Sequence, residues 1–230
     1  HSGHRSVSGG LARASVFGVS DGLVSNVSLI LGFAGSGVDN TVVRLAGLAG
    51  GVAGAISMAA GEWVSVTSQN DLIERELAIE RRELVHNREH ETEELAAIYE
   101  RHGIDPERAA AAAEDVMRTP DIALGVHARE ELGVDPHDLP SAFNAAGLSL
   151  LCFLFGAFLP LVPWYVGSGN SAAWASLAIG VVAAGAVGGV VAGFAERPIP
   201  YGVARQVFIV LVACGVTYLI GELVGVNLAG

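Results

Sequence analysis

The stretch "SVFGVSDGLVSNVSLILGFAGSG", residues 15–37, is apolar, rich in glycine and long enough to cross a membrane as a helix. Its only charged side chain is the carboxylate of Asp21. An ionisable group at bilayer depth costs roughly 3 kcal/mol on the most permissive scales, and it usually marks the path of an ion or a proton. The stretch therefore predicts a transmembrane helix that contributes to such a path.

The charge of the chain is concentrated in its centre. The chain has 230 residues, is 51% hydrophobic and carries a formal net charge of −11. Residues 69–138 contain 19 acidic and 8 basic side chains, which accounts for the whole of this charge. Residues 139–195 contain no charged side chain and are long enough for two crossings. We predict five spans, at about 15–37, 42–66, 141–165, 171–194 and 203–225.

These spans predict an all-α integral membrane protein with five transmembrane helices and a helical cytoplasmic domain. Residues 1–68 carry the first two spans, residues 69–138 form an acidic three-helix metal-binding domain, and residues 139–230 carry the last three spans. No proline or glycine interrupts residues 69–102, so the second span is predicted to continue as one helix up to Gly103. Two shorter helices should follow, at about 105–118 and 120–133.

Arginine placement indicates the orientation of the chain, because the sequence contains no lysine. Cytoplasmic loops carry an excess of basic residues. The arginines that flank the spans all fall on one side if the N-terminus is inside: Arg5, Arg13, Arg197 and Arg205. The N-terminus and the central domain are then cytoplasmic, and the C-terminus lies outside. The abundance of Ala, Gly, Val and Arg favours a GC-rich bacterial genome and hence a bacterial plasma membrane.

Glycines recur at helical spacing in the second and fourth predicted spans. Faces of small residues let helix backbones approach closely in lipid, and ordinary packing between spans is enough to explain them. The glycines concerned are Gly47, Gly51 and Gly54 in the second span and Gly185, Gly189 and Gly193 in the fourth.

Polar side chains share a face with small residues in the first two spans. The stripe that contains Asp21 also holds Gly18, Ser25, Ser28 and Gly32. The stripe of the second span holds, at every fourth position, Gly50, Gly54, Met58 and Glu62. If the two stripes face each other, Asp21, Met58 and Glu62 line a common cavity.

This set of side chains favours a transition metal such as Fe²⁺. Carboxylates alone suit Mg²⁺ or Ca²⁺, whereas a thioether is a soft ligand. Weak, mixed ligation also suits a site that must release its ion. Ordinary explanations stay open for each residue: Asp21 caps a helix end, Met58 fills a packing gap, and Glu62 lies at the membrane interface.

The predicted long helix carries many of its carboxylates on one face. Two Glu-x-x-Glu pairs fall within one arc of a 3.6-residue helix: Glu80 with Glu83, and Glu91 with Glu94. Like charges at this spacing repel each other, and they become favourable once cations bridge them, as in helical bundles that bind metal through glutamates. The alternative is a solvated acidic helix that is partly balanced by nearby arginines.

A histidine in the last predicted helix of the central domain is a further candidate ligand. His127, Glu130 and Glu131 occupy positions i, i+3 and i+4 in "GVHAREELGVDP" and therefore share a face. His127 and Glu131 would add ligands to the acidic helix. The alternative is that His127 is a surface residue.

Several motifs together resemble the vacuolar iron transporter family. They are "DGLVSN" in the first span, "SMAAGEW" in the second, "ELAAIYERHGID" in the acidic segment and "EELGVDP" before the third span, in the order and spacing of that family. The resemblance covers nearly the whole chain. It implies a homodimer that moves Fe²⁺, and often Mn²⁺, out of the cytosol in exchange for protons, with a cytoplasmic helical domain that collects the metal.

The resemblance also implies roles for single residues. Asp21 and Met58 look like the intramembrane metal-pathway residues of the family, whereas the role of Glu62 is assigned from its chemistry alone. In the cytoplasmic domain, the residues that look like the family's acidic ligands are Glu80, Glu83, Glu91, Glu94 and Glu131.

One departure from the family pattern concerns the third cytoplasmic helix. Family members often carry Met and Glu shortly before its last glutamate, where this sequence has His127 and Ala128, with Glu130 added. We therefore expect this helix to bind fewer ions or to favour a different metal.

We expect a transporter and not an enzyme. Its substrate would be Fe²⁺, with Mn²⁺ and Zn²⁺ as further candidate ions, and no permanent cofactor is expected. Its partners would be divalent transition-metal ions, protons, the lipid bilayer and a second copy of the chain in a homodimer, with no nucleic acid.

Three rival functions stay open. A membrane-anchored di-iron oxidase would use paired Glu-x-x-His motifs, and no second such motif convincingly accompanies Glu83 and His86. A metal sensor or scaffold would bind ions in the central domain without transport. An exporter selective for Mn²⁺ or Ca²⁺ is the third.

Overall fold

The computed structural model describes residues 10–228, and the side chains of residues 15–225. In this part of the chain the regular secondary structure is entirely helical. The α-helices are α1 (Gly10–Gly35), α2 (Asn40–His86), α3 (Arg88–Arg101), α4 (Pro106–Met117), α5 (Pro120–Glu131), α6 (Ala142–Phe158), α7 (Pro163–Val166), α8 (Gly169–Phe194) and α9 (Ile199–Leu228), with a 3₁₀-helix at Leu159–Leu161.

Five helical segments are long and apolar enough to cross a membrane: Ser15–Gly35, Asn40–His86, Ala142–Val166, Gly169–Phe194 and Ile199–Gly225. The predicted all-α fold with five transmembrane helices is thereby confirmed, and the protein is an integral membrane protein. Two of the arginines used to predict the orientation, Arg5 and the side chain of Arg13, lie outside the described residues. The orientation of the termini stays a prediction.

The chain divides into two compact units. The first, which we call the membrane unit, runs up to Val64 and resumes at Ala142, and the second, the central unit, is Ser65–Ser141. The predicted boundaries of the cytoplasmic domain, residues 69–138, fall within the central unit.

Helix α1 forms the middle of the membrane unit. It packs against α6, α8 and α9. Its side chains Leu23, Val27 and Leu31 are buried in one apolar cluster with residues of α8 and α9. Helix α1 is therefore a core element even though it carries Asp21.

Glycines allow the closest approaches between these helices. A β-carbon added at Gly22 of α1 would lie 2.2 Å from the carbonyl oxygen of Phe153, and one added at Gly156 of α6 would lie 2.2 Å from that of Val19. Helices α8 and α9 meet in the same way, because a β-carbon at Gly188 would lie 2.4 Å from the carbonyl oxygen of Gly202. These backbones are as close as glycine permits.

The glycine faces predicted from the sequence are only partly correct. In α8 the close approach is at Gly188, whereas a β-carbon added at Gly185 or Gly189 would make ordinary contacts with α9, and one added at Gly193 would meet nothing within 4 Å. The buried stripe of α8 is offset by one residue, at Ala172, Ser176, Gly180, Ala184, Gly188 and Ala192. A helix this rich in small residues offers several such stripes, and only its neighbours select one.

The glycines of α2 are covered by side chains instead of a neighbouring backbone. A β-carbon at Gly47, Gly51 or Gly54 would meet, respectively, Leu161, Phe158 and Phe153. Within the single chain, these glycines therefore take part in ordinary packing between spans. Bulky side chains from the preceding and following spans fill the space that the glycines leave.

The central unit contains a break that the sequence did not predict. Helix α2 ends at His86, Asn87 has φ −122° and ψ 33°, and a new helix starts at Arg88, so the prediction of one helix up to Gly103 is wrong. Asparagine favours helix ends because its side chain competes for backbone hydrogen bonds. The guanidinium of Arg88 also donates a hydrogen bond to the carbonyl of Met117, the last residue of α4.

The two short helices of the central unit agree with their prediction. Helix α4 starts with Pro106, and the carboxylate of Asp105 accepts a hydrogen bond from the backbone N–H of Glu107 at 3.2 Å. Helix α5 starts with Pro120. Proline suits the first turn because the N–H that it lacks has no partner there. The apolar core beneath them contains Leu77, Leu84, Met117, Ala123, Leu124 and Ala128.

Candidate metal centres

Four side chains of the central unit converge on one point. They are Glu80 on α2, Glu91 on α3, and His127 and Glu131 on α5, and one ligand atom from each lies within 4.8 Å of the others. Ligands that bind one ion at about 2.0–2.2 Å lie at most about 4.4 Å apart. The cluster therefore has the size of a site for one ion after a small inward movement.

His127 is at the centre of this cluster and is fully buried, with 0% of its side chain exposed. Its Nδ1 atom lies 2.9 Å from Oε1 of Glu131, 3.1 Å from Oε1 of Glu80 and 3.8 Å from Oε2 of Glu91. The alternative of a surface histidine is therefore wrong. Each of the three glutamates of the cluster thus has a carboxylate oxygen within 3.8 Å of the same ring nitrogen.

The hydrogen bonds of the cluster are incomplete. Nδ1 of His127 forms a hydrogen bond with Oε1 of Glu131, and the hydrogen bonds of the cluster do not include Oε1 of Glu80. Within the described residues, Oε1 of Glu80 and Nε2 of His127 are buried without a hydrogen-bond partner. A metal ion bound to Nδ1 and the carboxylates would replace the proton of this hydrogen bond and satisfy the buried oxygen.

Electrostatics disfavour this group of carboxylates unless a cation binds to them. Burial, followed by the charge of Glu131, raises the pKa of Glu80 to about 7, although His127 opposes the shift. Burial also raises the pKa of Glu91, and the charges of Glu83 and Glu94 add to this effect. Buried carboxylates without a cation are costly, so a divalent ion would relieve both the desolvation and the mutual repulsion.

The remaining predicted ligands of the central unit lie outside this cluster. Glu83 and Glu94 are near enough to raise the pKa of Glu91 but contribute no atom to the group of four. Glu130 points elsewhere, with Oε2 3.8 Å from Nε2 of His102. Their roles as ligands stay predictions.

The break at Asn87 changes how the acidic residues are arranged. The sequence placed Glu80, Glu83, Glu91 and Glu94 along one straight helix, whereas they lie on α2 and α3. One glutamate of each pair, Glu80 and Glu91, joins the cluster. The candidate metal centre therefore combines three helices, because the acidic helix divides at Asn87 before His127 and Glu131 of α5 join it.

The membrane unit contains a cavity of about 430 Å³ between α1 and α2. It is lined by Asp21, Ser25, Asn26, Leu29, Gly50, Gly54, Ser57, Met58 and Phe153. Asp21 and Met58 thus face the same space, as the two stripes predict. Glu62 is not among the lining residues; it lies one turn beyond Met58 and is half-buried.

Asp21 lies in the interior of α1 and not at its end. The alternative that it caps a helix is therefore wrong. Its side chain is exposed in the single chain, and its Oδ1 accepts a hydrogen bond from the hydroxyl of Ser25 at 3.0 Å. A carboxylate, two hydroxyls, an amide and a thioether surround the cavity, which is a mixed set of hard and soft donors.

Asn26 is a cavity residue that sequence reasoning missed. It is 2% exposed, and its Nδ2 donates a 2.6 Å hydrogen bond to the carbonyl of Ala157. Asn26 lies five residues after Asp21, off the stripe of three- and four-residue steps. The signal that could have found it is its place as the last residue of "DGLVSN".

A family model described as the VIT family matches residues 12–222. The chain belongs to the VIT family. The match extends from α1 into α9, so VIT family membership covers both the membrane unit and the central unit, and the predicted family resemblance is confirmed.

Curated VIT family relatives are similar over about 70% of the chain. Vacuolar iron transporter 1 of Arabidopsis thaliana is 32% identical over 71% of this chain and 66% of its own length. Vacuolar iron transporter 1 of Oryza sativa subsp. japonica is 30% identical over 76% and 70%. The vacuolar iron transporter of Acanthamoeba castellanii is 39% identical over 69% and 58%. The chain thus spans 66% of the length of the Arabidopsis relative and 58% of the length of the Acanthamoeba relative.

Proposed function

We propose that this VIT family member exports Fe²⁺ from the cytosol across a membrane in exchange for protons. The observation that carries the proposal is the cavity in which Asp21 and Met58 meet inside the membrane unit. The names of the relatives, vacuolar iron transporter, point to the same ion. We place the protein in a bacterial plasma membrane, with its N-terminus and central unit in the cytoplasm and its C-terminus outside.

The donors of the cavity suit a ferrous ion in transit. The thioether of Met58 favours Fe²⁺ over Ca²⁺ and Mg²⁺, because a soft sulfur competes poorly for hard cations. Among the residues that the structure describes, Asp21 alone supplies a carboxylate to the cavity, so the ion is held weakly enough to leave. Mn²⁺ is the second ion that we expect to pass, and Zn²⁺ is a third candidate. Glu62 would receive the ion at the edge of the cavity.

Proton coupling requires a group that exchanges a metal ion for a proton. We assign this role to the carboxylate of Asp21, whose two states are an anion that binds Fe²⁺ and a neutral acid that does not. The hydroxyl of Ser25 donates a hydrogen bond to the carboxylate of Asp21 and orients it in the cavity. No permanent cofactor is needed, and we propose that the protein is not an enzyme.

The central unit would collect the metal. Glu80, Glu91, Glu131 and His127 form a compact acidic site that is unfavourable without a cation. Ferritin-like di-iron sites contain two histidines, whereas this cluster contains one, which argues against an oxidase. Glu83, Glu94 and Glu130 would attract further ions toward the cluster.

A second copy of the chain would complete the cavity. Helix α2 exposes an apolar face at Leu45, Leu48, Val52 and Ile56, and Asp21 is exposed in the single chain. An exposed carboxylate would be unfavourable against lipid. We therefore place the contact of a homodimer at this face, with the remaining outer surface against the bilayer.

The test is Fe²⁺ uptake by sealed proteoliposomes under an imposed pH gradient, with Mn²⁺, Zn²⁺ and Ca²⁺ in parallel. We expect gradient-dependent Fe²⁺ uptake that is lost in Asp21→Ala and Met58→Ala. Glu222→Ala, which removes a different acid from the membrane unit, is the matched control and should retain uptake.

The outcomes separate the rival functions. Absence of uptake of every metal, with intact metal binding by the central unit, would leave a sensor or scaffold. Oxygen consumption upon addition of Fe²⁺ would indicate an oxidase. Uptake of Mn²⁺ or Ca²⁺ in preference to Fe²⁺ would replace the proposed substrate but keep the transport function.

A further inference from the structure

Asn26 is held in one orientation at the wall of the membrane-unit cavity. Its Nδ2 donates to the carbonyl oxygen of Ala157 on α6 at 2.6 Å. A carbonyl oxygen can only accept, so the nitrogen of the amide must face Ala157. The amide oxygen, Oδ1, therefore points away from α6.

The Oδ1 atom of Asn26 is buried and has no hydrogen-bond partner among the described residues. A buried acceptor without a donor costs about 1–3 kcal/mol. Such groups are rare in folded proteins and call for an explanation, which is often a functional one. Asn26 lines the same cavity as Asp21 and Met58, so a bound cation would satisfy this oxygen.

Leu29 shields this oxygen. A β-carbon added at Gly50 would lie 3.6 Å from Oδ1 of Asn26 and 2.3 Å from Cδ2 of Leu29. The Leu29 methyl thus occupies the space beside Oδ1 that a side chain at position 50 would fill. Leu29 also lines the cavity, so Oδ1 of Asn26 lies close to the cavity wall.

We propose that Oδ1 of Asn26 is a ligand of the divalent cation that occupies the cavity. An amide oxygen replaces a water molecule of the hydrated ion without adding negative charge, so it assists dehydration and does not trap the ion. The proposal rests on the proposed transport function, because it assigns a further ligand to the same cavity. This role differs from that of Asp21, because Asp21 supplies negative charge to the cavity and Asn26 does not.

A purely structural role for Asn26 makes a different prediction. The Nδ2 bond ties α1 to α6, and this tie is lost in both Asn26→Leu and Asn26→Asp. Leucine and aspartate are close to asparagine in size, but only aspartate retains an oxygen at the position of Oδ1. A ligand role therefore predicts that Asn26→Asp keeps the metal binding that Asn26→Leu loses, whereas a structural role predicts no benefit to metal binding from the retained oxygen.

The experiment measures anaerobic Fe²⁺ binding to the full chain in detergent. Glu80→Gln, Glu91→Gln and Glu131→Gln are introduced together to silence the cluster of the central unit. We expect Asn26→Leu to weaken binding at least about tenfold, which corresponds to about 1.4 kcal/mol. Asn26→Asp should bind as tightly as this parent or more tightly. Ser28→Ala, which removes a buried hydroxyl of α1 that lies against Cys214 and not in the cavity, should leave binding unchanged.

Three results would overturn the proposal. They are unchanged binding in Asn26→Leu, an equal loss of binding and of thermal stability in Asn26→Leu and Asn26→Asp, and no Fe²⁺ binding by the parent. Uptake by proteoliposomes is measured separately with the wild type. If the binding pattern is as expected and the wild type takes up no Fe²⁺, the transport function fails and the ligand assignment of Asn26 stands.

Discussion

Nδ1 of His127, a fully buried side chain, lies 2.9 Å from Oε1 of Glu131, one turn further along α5. The same nitrogen also lies near Oε1 of Glu80 on α2 and Oε2 of Glu91 on α3. His127 thus brings side chains of three helices together. A buried imidazole in contact with three carboxylates suits borderline metal ions better than hard ones. The departure of this chain from the family pattern at His127 therefore bears on which metal the central unit prefers.

His127→Gln tests the imidazole as a ligand. Imidazole suits Zn²⁺ and Fe²⁺, whereas carboxylates suit Mn²⁺, so the variant should lose Zn²⁺ affinity by about tenfold or more, equal to about 1.4 kcal/mol, and lose less Mn²⁺ affinity. Competition titrations with a chromophoric chelator measure both ions. His90→Gln, an exposed histidine on α3, is the control. Equal losses for the two ions would contradict a specific role of the imidazole.

The metal-free central unit should lose stability as the pH rises from about 4.5 to about 7. Folding raises the pKa of Glu80 from 4.5 to about 7, so in this window the folded state holds a proton that the unfolded state has released. Stability is then greatest below the unfolded pKa and falls as the pH rises through the folded pKa, by up to about 3 kcal/mol for a rise in pKa from 4.5 to about 7.

To measure this effect, the full chain is heated at each pH and then labelled by a pulse of hydrogen exchange at one fixed pH. The exchange is read in the peptides that cover residues 72–131, and it reports the fraction of the central unit that has unfolded. Glu80→Gln should flatten the dependence, because the amide does not titrate. Fe²⁺ added near pH 7 should restore the lost stability, because it binds the carboxylate form of the folded cluster. A profile that rises with pH in the metal-free wild type would show that Glu80 is not the dominant group.

Met58→Leu tests the thioether of the cavity. Leucine conserves volume and removes sulfur, so Fe²⁺ uptake should fall relative to Ca²⁺ uptake by on the order of tenfold, about 1.4 kcal/mol. Met117→Leu, the only other methionine of the sequence, lies in the core of the central unit and is the matched control. An unchanged ratio of Fe²⁺ to Ca²⁺ uptake in Met58→Leu would mean that Met58 only fills space.

Gly188→Ala should destabilise the membrane unit. Its β-carbon would lie 2.4 Å from the carbonyl oxygen of Gly202, so α8 and α9 must move apart at a cost of about 2 kcal/mol. Gly193→Ala on the same helix meets nothing within 4 Å and should be neutral or stabilising by up to about 1 kcal/mol. Thermal unfolding in detergent compares the two. Equal midpoints would show that the backbones are not in tight contact.

Most residues of the two candidate sites are predictable from the sequence, because they follow helical spacing. Asp21 and Met58 were placed in one cavity from two stripes, and Glu80, Glu91, His127 and Glu131 were all named as ligands. The exclusion of Glu83 and Glu94 from the cluster was not predictable. It depends on the break at Asn87, and nothing in the local sequence "VHNREH" excludes a continuous helix.

The sequence by itself determined the five spans and the acidic central segment, because hydropathy and charge act locally and a span needs only length and composition. It did not determine which glycine of α8 meets α9, that His127 is buried, or that Asn26 has an unpartnered oxygen. These features arise from contacts between residues far apart in the chain, such as Asn26 with Ala157 and Glu80 with His127. Burial and hydrogen bonding at these points depend on how the helices pack, and a periodicity within one helix carries no information about its neighbours.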